Sequence, residues 1–132
     1  GRVKNLLRYS ALPGCSRHHW GTDLDLNANR TDYWRSATGL KIYQWLCENA
    51  HKFGFYQPYS AKGAAGSGLR ENGHEEERWH WSYYPLATVY MNEFADIITE
   101  EDLKGFAGDK YLSTLNIIKN FVLGVAPEPT IL

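Results

Sequence analysis

The stretch Ser16-Arg17-His18-His19-Trp20-Gly21-Thr22-Asp23-Leu24-Asp25-Leu26 decides how this chain is read. Leu24 and Leu26 alternate with Asp23 and Asp25, the period-two pattern of a half-buried strand. That alternation turns Asp25 away from the two leucines and toward a cleft. A second cluster, Glu77-Arg78-Trp79-His80-Trp81, follows much later in the chain. Arg78 to Tyr84 is expected to form another strand, with Trp79, Trp81 and Tyr83 on one face and His80 and Ser82 on the other. A strict strand would separate Glu77 from His80, because three is an odd step. A turn or kink before Trp79 is therefore expected to swing Glu77 back toward the candidate metal site.

Working outward, the polar run Asn27 to Asp32 reads as a turn or loop. Leu40, Tyr43, Cys47 and Ala50 recur at helical spacing over about 38–53, and Gly54 stands where a helix stops. Phe55 to Tyr59 reads as a short strand. Residues 61–73 hold Gly63, Gly66, Gly68 and Gly73 and read as a long loop. Pro85 fits the first turn of a helix carrying Leu86, Val89, Tyr90, Phe94 and Ile97. Thr99-Glu100-Glu101-Asp102 has the form of a capping box with Asp in place of Glu. A last helix is expected over about 109–122, with Leu112, Leu115, Ile118 and Val122 on its apolar stripe. Strands and helices mix without a βαβ rhythm, so the expected class is α+β, a small antiparallel sheet packed with helices.

At 132 residues the chain has the length of one domain. Fourteen Lys and Arg against fifteen Asp and Glu give a net charge of -1. That balance provides no basic field for a phosphate backbone, so a nucleic-acid partner is disfavoured. No apolar run approaches the roughly 20 residues of a membrane-spanning helix. The start Gly1-Arg2-Val3-Lys4 has neither an initiator Met nor a leader pattern, and reads as a trimmed piece lacking an upstream segment. Cys15 and Cys47 are too few for a disulfide scaffold and are expected as two buried thiols.

The two clusters carry the chemistry. Two imidazole nitrogens and one carboxylate oxygen can hold Zn²⁺ and leave a fourth tetrahedral position for water, the layout of a catalytic zinc site. Zinc acidifies such a water and polarises a carbonyl, and a carboxylate that is not a ligand must accept the proton. Glu77, three residues before His80, is suited to that. His74-Glu75 begins like an H-E-x-x-H zinc helix, but the next His is six positions on and the motif fails. Cys15-x-x-His18 offers a thiolate for a closed structural site with Asp25 and His80, a competing reading.

Together the clusters match S-x-H-x-x-G-x-A-x-D followed later by E-x-W-H. Ser16, His18, Gly21 and Asp25 fall on the first motif; Glu77, Trp79 and His80 fall on the second. The chain thus resembles the VanY-type zinc D-alanyl-D-alanine carboxypeptidases, which share the Hedgehog/DD-peptidase fold and are related to lysostaphin-type peptidases. The resemblance implies one Zn²⁺ ion held by His18, Asp25 and His80, with Glu77 as general base. It implies a peptidoglycan stem peptide as substrate, with Ser16 helping to hold its terminal carboxylate, and an extracytoplasmic place in the bacterial envelope. Asp23 stands where the pattern has Ala. The family's upstream Tyr-Arg-Ser segment has no room before His18, so either its Arg is lost with an upstream segment or another cation such as Arg17, Arg70 or Arg78 substitutes. Trp79 is expected either in the core or as a platform for the peptide. Rival readings are an endopeptidase or LD-carboxypeptidase on the same fold, and a non-catalytic zinc-bearing binding domain.

Overall fold

A computed structural model describes residues 1–129. The elements run α1 (Arg2–Leu6), β1 (Asp23–Asp25), α2 (Thr31–Arg35), α3 (Ala37–Asn49), β2 (Phe55–Tyr56), β3 (His80–Tyr83), α4 (Tyr84–Ile97), α5 (Glu100–Leu103) and α6 (Tyr111–Thr114). Short 3-10 turns cover Arg17–Trp20 and Ala50–Phe53, and a π-helical turn covers Ile118–Val122. The three strands form one antiparallel sheet in the order β1-β3-β2, so the class is α+β.

The register of β1 on β3 organises the molecule. Asp23 lies opposite Ser82, Leu24 opposite Trp81, and Asp25 opposite His80. Side chains alternate across a sheet, so one face carries Asp23, Asp25, His80 and Ser82 while the other carries Leu24 and Trp81. On the apolar side Trp81 packs near Tyr43 of α3, with ring centroids 6.5 Å apart, and Tyr43 meets the fully buried Trp34 of α2. A second apolar cluster gathers Leu7, Leu12, Cys15, Leu112, Ile117 and Val122. It joins the N-terminal segment to the C-terminal one.

Several expectations need correction. Asp23, not Leu24, is the buried residue of β1, because its carboxylate is enclosed by partners while Leu24 remains half exposed. A helix, α2, starts at Thr31 inside the segment read as loop, with Trp34 inserted into the interior. The stripe of α3 is displaced by about one residue: Gly39 is buried, while Leu40 and Cys47 are exposed. Cys47 is therefore not a buried thiol, although Cys15 is, and both are free. Strand β3 begins at His80 rather than Arg78, since Arg78 and Trp79 form the turn. Trp79 does not share a face with Trp81; its ring sits 5.9 Å from Tyr9. On α4 the buried residues are Tyr84 and Ala87, while Leu86, Val89, Tyr90 and Ile97 remain exposed. The last helix is broken at Asn116, whose φ of 48° is left-handed, a state that Asn tolerates better than most residues. The break leaves Ile117 fully buried where Ile118 was expected. The capping box forms as read, with the Thr99 N–H donating to the Asp102 carboxylate at 2.8 Å.

Candidate metal centre

Local structure aims each polar side chain. Ser16 caps the turn Arg17–Trp20 by accepting a hydrogen bond from the His18 N–H at 3.2 Å. The turn folds His18 back over β1, where its Nδ1 lies 3.1 Å from the Asp23 carbonyl oxygen. Its Nε2 is then free to face Asp25 Oδ1, also at 3.1 Å. Across the sheet, His80 stands opposite Asp25, and its Nδ1 lies 4.0 Å from the same oxygen. The two imidazoles stack with centroids 4.5 Å apart.

Donor atoms of His18, Asp25 and His80 all lie within 4.8 Å of one another. Bonds to tetrahedral zinc of about 2.0–2.2 Å put its ligand atoms roughly 3.3–3.6 Å apart. The observed spacings bracket that figure, and two imidazoles with one carboxylate are a zinc donor set, so these residues fit the ion. Cys15 is outside this group; its thiol is buried beside the Pro13 carbonyl. The closed structural site with a thiolate ligand is therefore set aside.

Glu77 reaches the group through the turn at Arg78 and Trp79. The His80 N–H donates to the Glu77 carbonyl at 3.3 Å, closing the turn. The Glu77 carboxylate then lies 2.9 Å from His80 Nδ1, although Glu77 is almost fully buried. Its backbone is pinned as well: the Glu77 N–H donates to the Tyr59 carbonyl at 2.9 Å and Gln57 Nε2 donates to the Glu77 carbonyl at 3.2 Å.

Charges in the group are strongly perturbed. Burial works against a proton on His80, but hydrogen bonds to the Asp23 and Glu77 carboxylates lift its pKa to about 9. The hydrogen bond to Asp25 raises His18, against partial burial. Burial works to raise Asp23, but His80 and Arg17 outweigh it and hold the carboxyl down at about 2. In the absence of a cation, carboxylates and protons on imidazole neutralise one another.

The group opens into a cleft of about 510 Å³. Ser16 and Trp79 line it, joined by Tyr9, His19, Tyr59 and His74. Among these, burial lowers the pKa of His74, whose Nδ1 lies 2.6 Å from the Leu7 carbonyl oxygen.

Arg17, expected at the substrate, reaches the wall of the cleft, but its polar atoms are engaged elsewhere. It is only 2% exposed, its Nε donates to Asp23 at 3.1 Å and its Nη2 donates to Ser82 at 3.0 Å. Its charge is already matched, so it backs the sheet instead of offering a free cation. Neither of the other two candidates lines the cleft. Arg70 donates to the carbonyls of Ser60 and Asn72, and Arg78 pairs with Glu76 over the Tyr43 ring.

Sequence reasoning gave Tyr59 and His74 no part in the cleft: Tyr59 reads as a strand end and His74 only as the start of a motif that fails. They flank the glycine-rich loop, whose fold brings them together. Asp23 was legible as a second acid near the site, since it stands where the matched motif has Ala.

A family profile covers this region. The family profile VanY, described as D-alanyl-D-alanine carboxypeptidase, matches residues 1–86, a span that holds every residue named in the two clusters. A D-alanyl-D-alanine carboxypeptidase of Enterococcus faecalis is 34% identical over 93 residues, 70% of this chain but 31% of that protein. The chain thus spans about a third of that relative. An uncharacterized protein of Haemophilus influenzae is 27% identical over 107 residues, 71% of this chain and 76% of its own length. No solved structure matches the chain significantly.

Proposed function

The chain belongs to the VanY family of D-alanyl-D-alanine carboxypeptidases, and from that premise we propose that it is a zinc-dependent peptidase removing the terminal D-Ala from D-Ala-D-Ala stem peptides of peptidoglycan. The observation that carries this reading is the convergence of His18, Asp25 and His80 beside the buried Glu77. His18 and His80 would hold one zinc ion through nitrogen and Asp25 through oxygen. When bound, that ion would acidify a water and polarise the scissile carbonyl.

The chain's own residues do the rest. Glu77 takes a proton from the attacking water and delivers it to the leaving amine, serving as base and then acid. Near-complete burial of Glu77 limits competing solvent, and its pinned backbone fixes where the carboxylate can reach. Ser16 and Trp79 are the residues assigned to peptide contact, since both line the cleft. A stem peptide is exposed outside the cytoplasmic membrane, so the proposed place of action is the bacterial envelope. Among the described residues no helix is long and apolar enough to cross a membrane.

The test is release of D-Ala from a peptide ending in D-Ala-D-Ala by the zinc-loaded chain, beside Glu77→Gln. Turnover by the native chain and a drop of about 10²–10⁴-fold in the variant, at equal zinc content, are expected for loss of a general base. Absence of D-Ala release by the native chain, or equal turnover in Glu77→Gln, overturns the reading. Cleavage inside the peptide without D-Ala release would identify an endopeptidase instead.

A further inference from the structure

We propose that Asp23 is the positioning residue of this metal centre: through its carboxylate and its own carbonyl it determines which nitrogen each imidazole turns toward the ion. The inference rests on the zinc-peptidase reading and extends it to a residue that is not a ligand.

A neutral imidazole carries its proton on one nitrogen and offers a lone pair on the other. His80 Nε2 lies 2.6 Å from Asp23 Oδ2. An ionised carboxylate only accepts, so this nitrogen holds the proton and donates. Nδ1, which donates to the Glu77 carboxylate at 2.9 Å when no cation is bound, is then the nitrogen that gives up its proton to an ion and offers its lone pair beside Asp25. His18 is oriented in the opposite sense. Its Nδ1 donates to the Asp23 carbonyl at 3.1 Å, leaving Nε2 to face Asp25. One residue therefore sets two tautomers, and the two free nitrogens converge on one place.

Asp23 cannot itself be a ligand, because its acceptor capacity is used. Oδ1 accepts from Thr22 Oγ1 at 2.7 Å and from Ser82 Oγ at 2.8 Å. Oδ2 accepts from Arg17 Nε at 3.1 Å and from His80. Four donors match the roughly four lone-pair sites of a carboxylate, and the side chain is 0% exposed. Arg17 continues the chain outward. Its Nη2 donates to Ser82 on β3, its Nη1 lies 3.4 Å from Met91 Sδ on α4, and its guanidinium stacks 4.8 Å over Trp20. His80 is thus held from behind by a relay that reaches α4. A simple ion pair with Arg17 would require neither the short contact to His80 nor the carbonyl aimed at His18. The motif that the chain resembles has Ala at this position, so the carboxylate is a feature of this sequence.

The test is zinc affinity by chelator competition, combined with nitrogen-15 NMR of the histidine rings in the zinc-loaded protein. Asp23→Ala alone leaves Arg17 buried without its partner, so the decisive variant is Arg17→Met together with Asp23→Ala. Expected are one zinc per chain in both proteins, zinc affinity lower by about 10–100-fold in the variant, and loss of the hydrogen-bonded Nε2–H signal of His80. Unchanged affinity, or persistence of that signal, overturns the role of Asp23. Asp25→Ala separates the two claims. If the native chain takes up no zinc, or Asp25→Ala binds it as well as the native chain, the metal reading itself falls and this inference with it.

Discussion

Glu77 and His80 are three positions apart, a step that sends side chains to opposite sides of an extended strand, yet theirs meet at 2.9 Å. The turn at Arg78 and Trp79 reconciles the two facts, and the odd spacing had called for such a turn. The pair also has a consequence for stability without metal. His80 is faced by Asp23, Glu77, Asp25 and His18. Its pKa stands at about 9 against an ordinary 6.5. A raised pKa means that the folded state holds the proton more tightly. The stabilisation is therefore complete below pH 6.5 and is lost as the pH rises through about 9. In the presence of a chelator, the urea midpoint is expected to fall across that window; a flat profile would contradict the assigned pairing. The resemblance to a family's two motifs made the converging group legible, because His18, Asp25 and His80 fall on its matched positions. Arg17 was not legible. A cation next to a site looks available in a sequence, and only the folded partner Asp23 reveals that its charge is already matched.

The corner between α2 and α3 shows what element-scale reading can and cannot reach. Ser36 begins α3 by accepting from the Gly39 N–H at 3.1 Å, a cap that the periodicity alone did not single out. Gly54, φ 85°, ends the 3-10 turn that follows α3, and the helix itself was readable from its period. The buried face was not, because the stripe is chosen by what lies across from it. Gly39 is buried since the backbone of α2 passes directly over it. A Cβ there would stand 2.1 Å from the Tyr33 carbonyl oxygen and 2.7 Å from Trp34 Cα. Gly39→Ala is accordingly expected to destabilise the protein by about 1–3 kcal/mol, despite the better helix propensity of Ala. Chemical denaturation would reveal it, and a gain in stability would refute the close crossing. The final segment teaches the same lesson. Its apolar residues fit a continuous helix, but Asn116 breaks it and Ile117 takes the buried place.

Across the whole molecule, two apolar clusters flank one polar sheet face. The N-terminal residues Leu7, Leu12 and Cys15 pack with Leu112, Ile117 and Val122 from the other end of the chain. Burial in this cluster raises the pKa of Cys15 to about 11, whereas Cys47 is exposed on α3. Thiol labelling of the native protein is expected to modify Cys47 alone, with Cys15 reacting only after unfolding. Modification of both at equal rates in the native state would contradict the packing. The sequence by itself determined the α+β class, the strand that carries Asp25, the turn that returns Glu77, and the caps at Gly54 and Thr99. Each follows from dihedral preference, period or short-range hydrogen bonding, which act within a few residues. Tertiary structure alone decided which aspartate is enclosed, which cysteine is buried, whether Arg17 is free, and which residues line the cleft. Those outcomes depend on partners brought from distant parts of the chain, and burial and charge matching exist only once those partners have met.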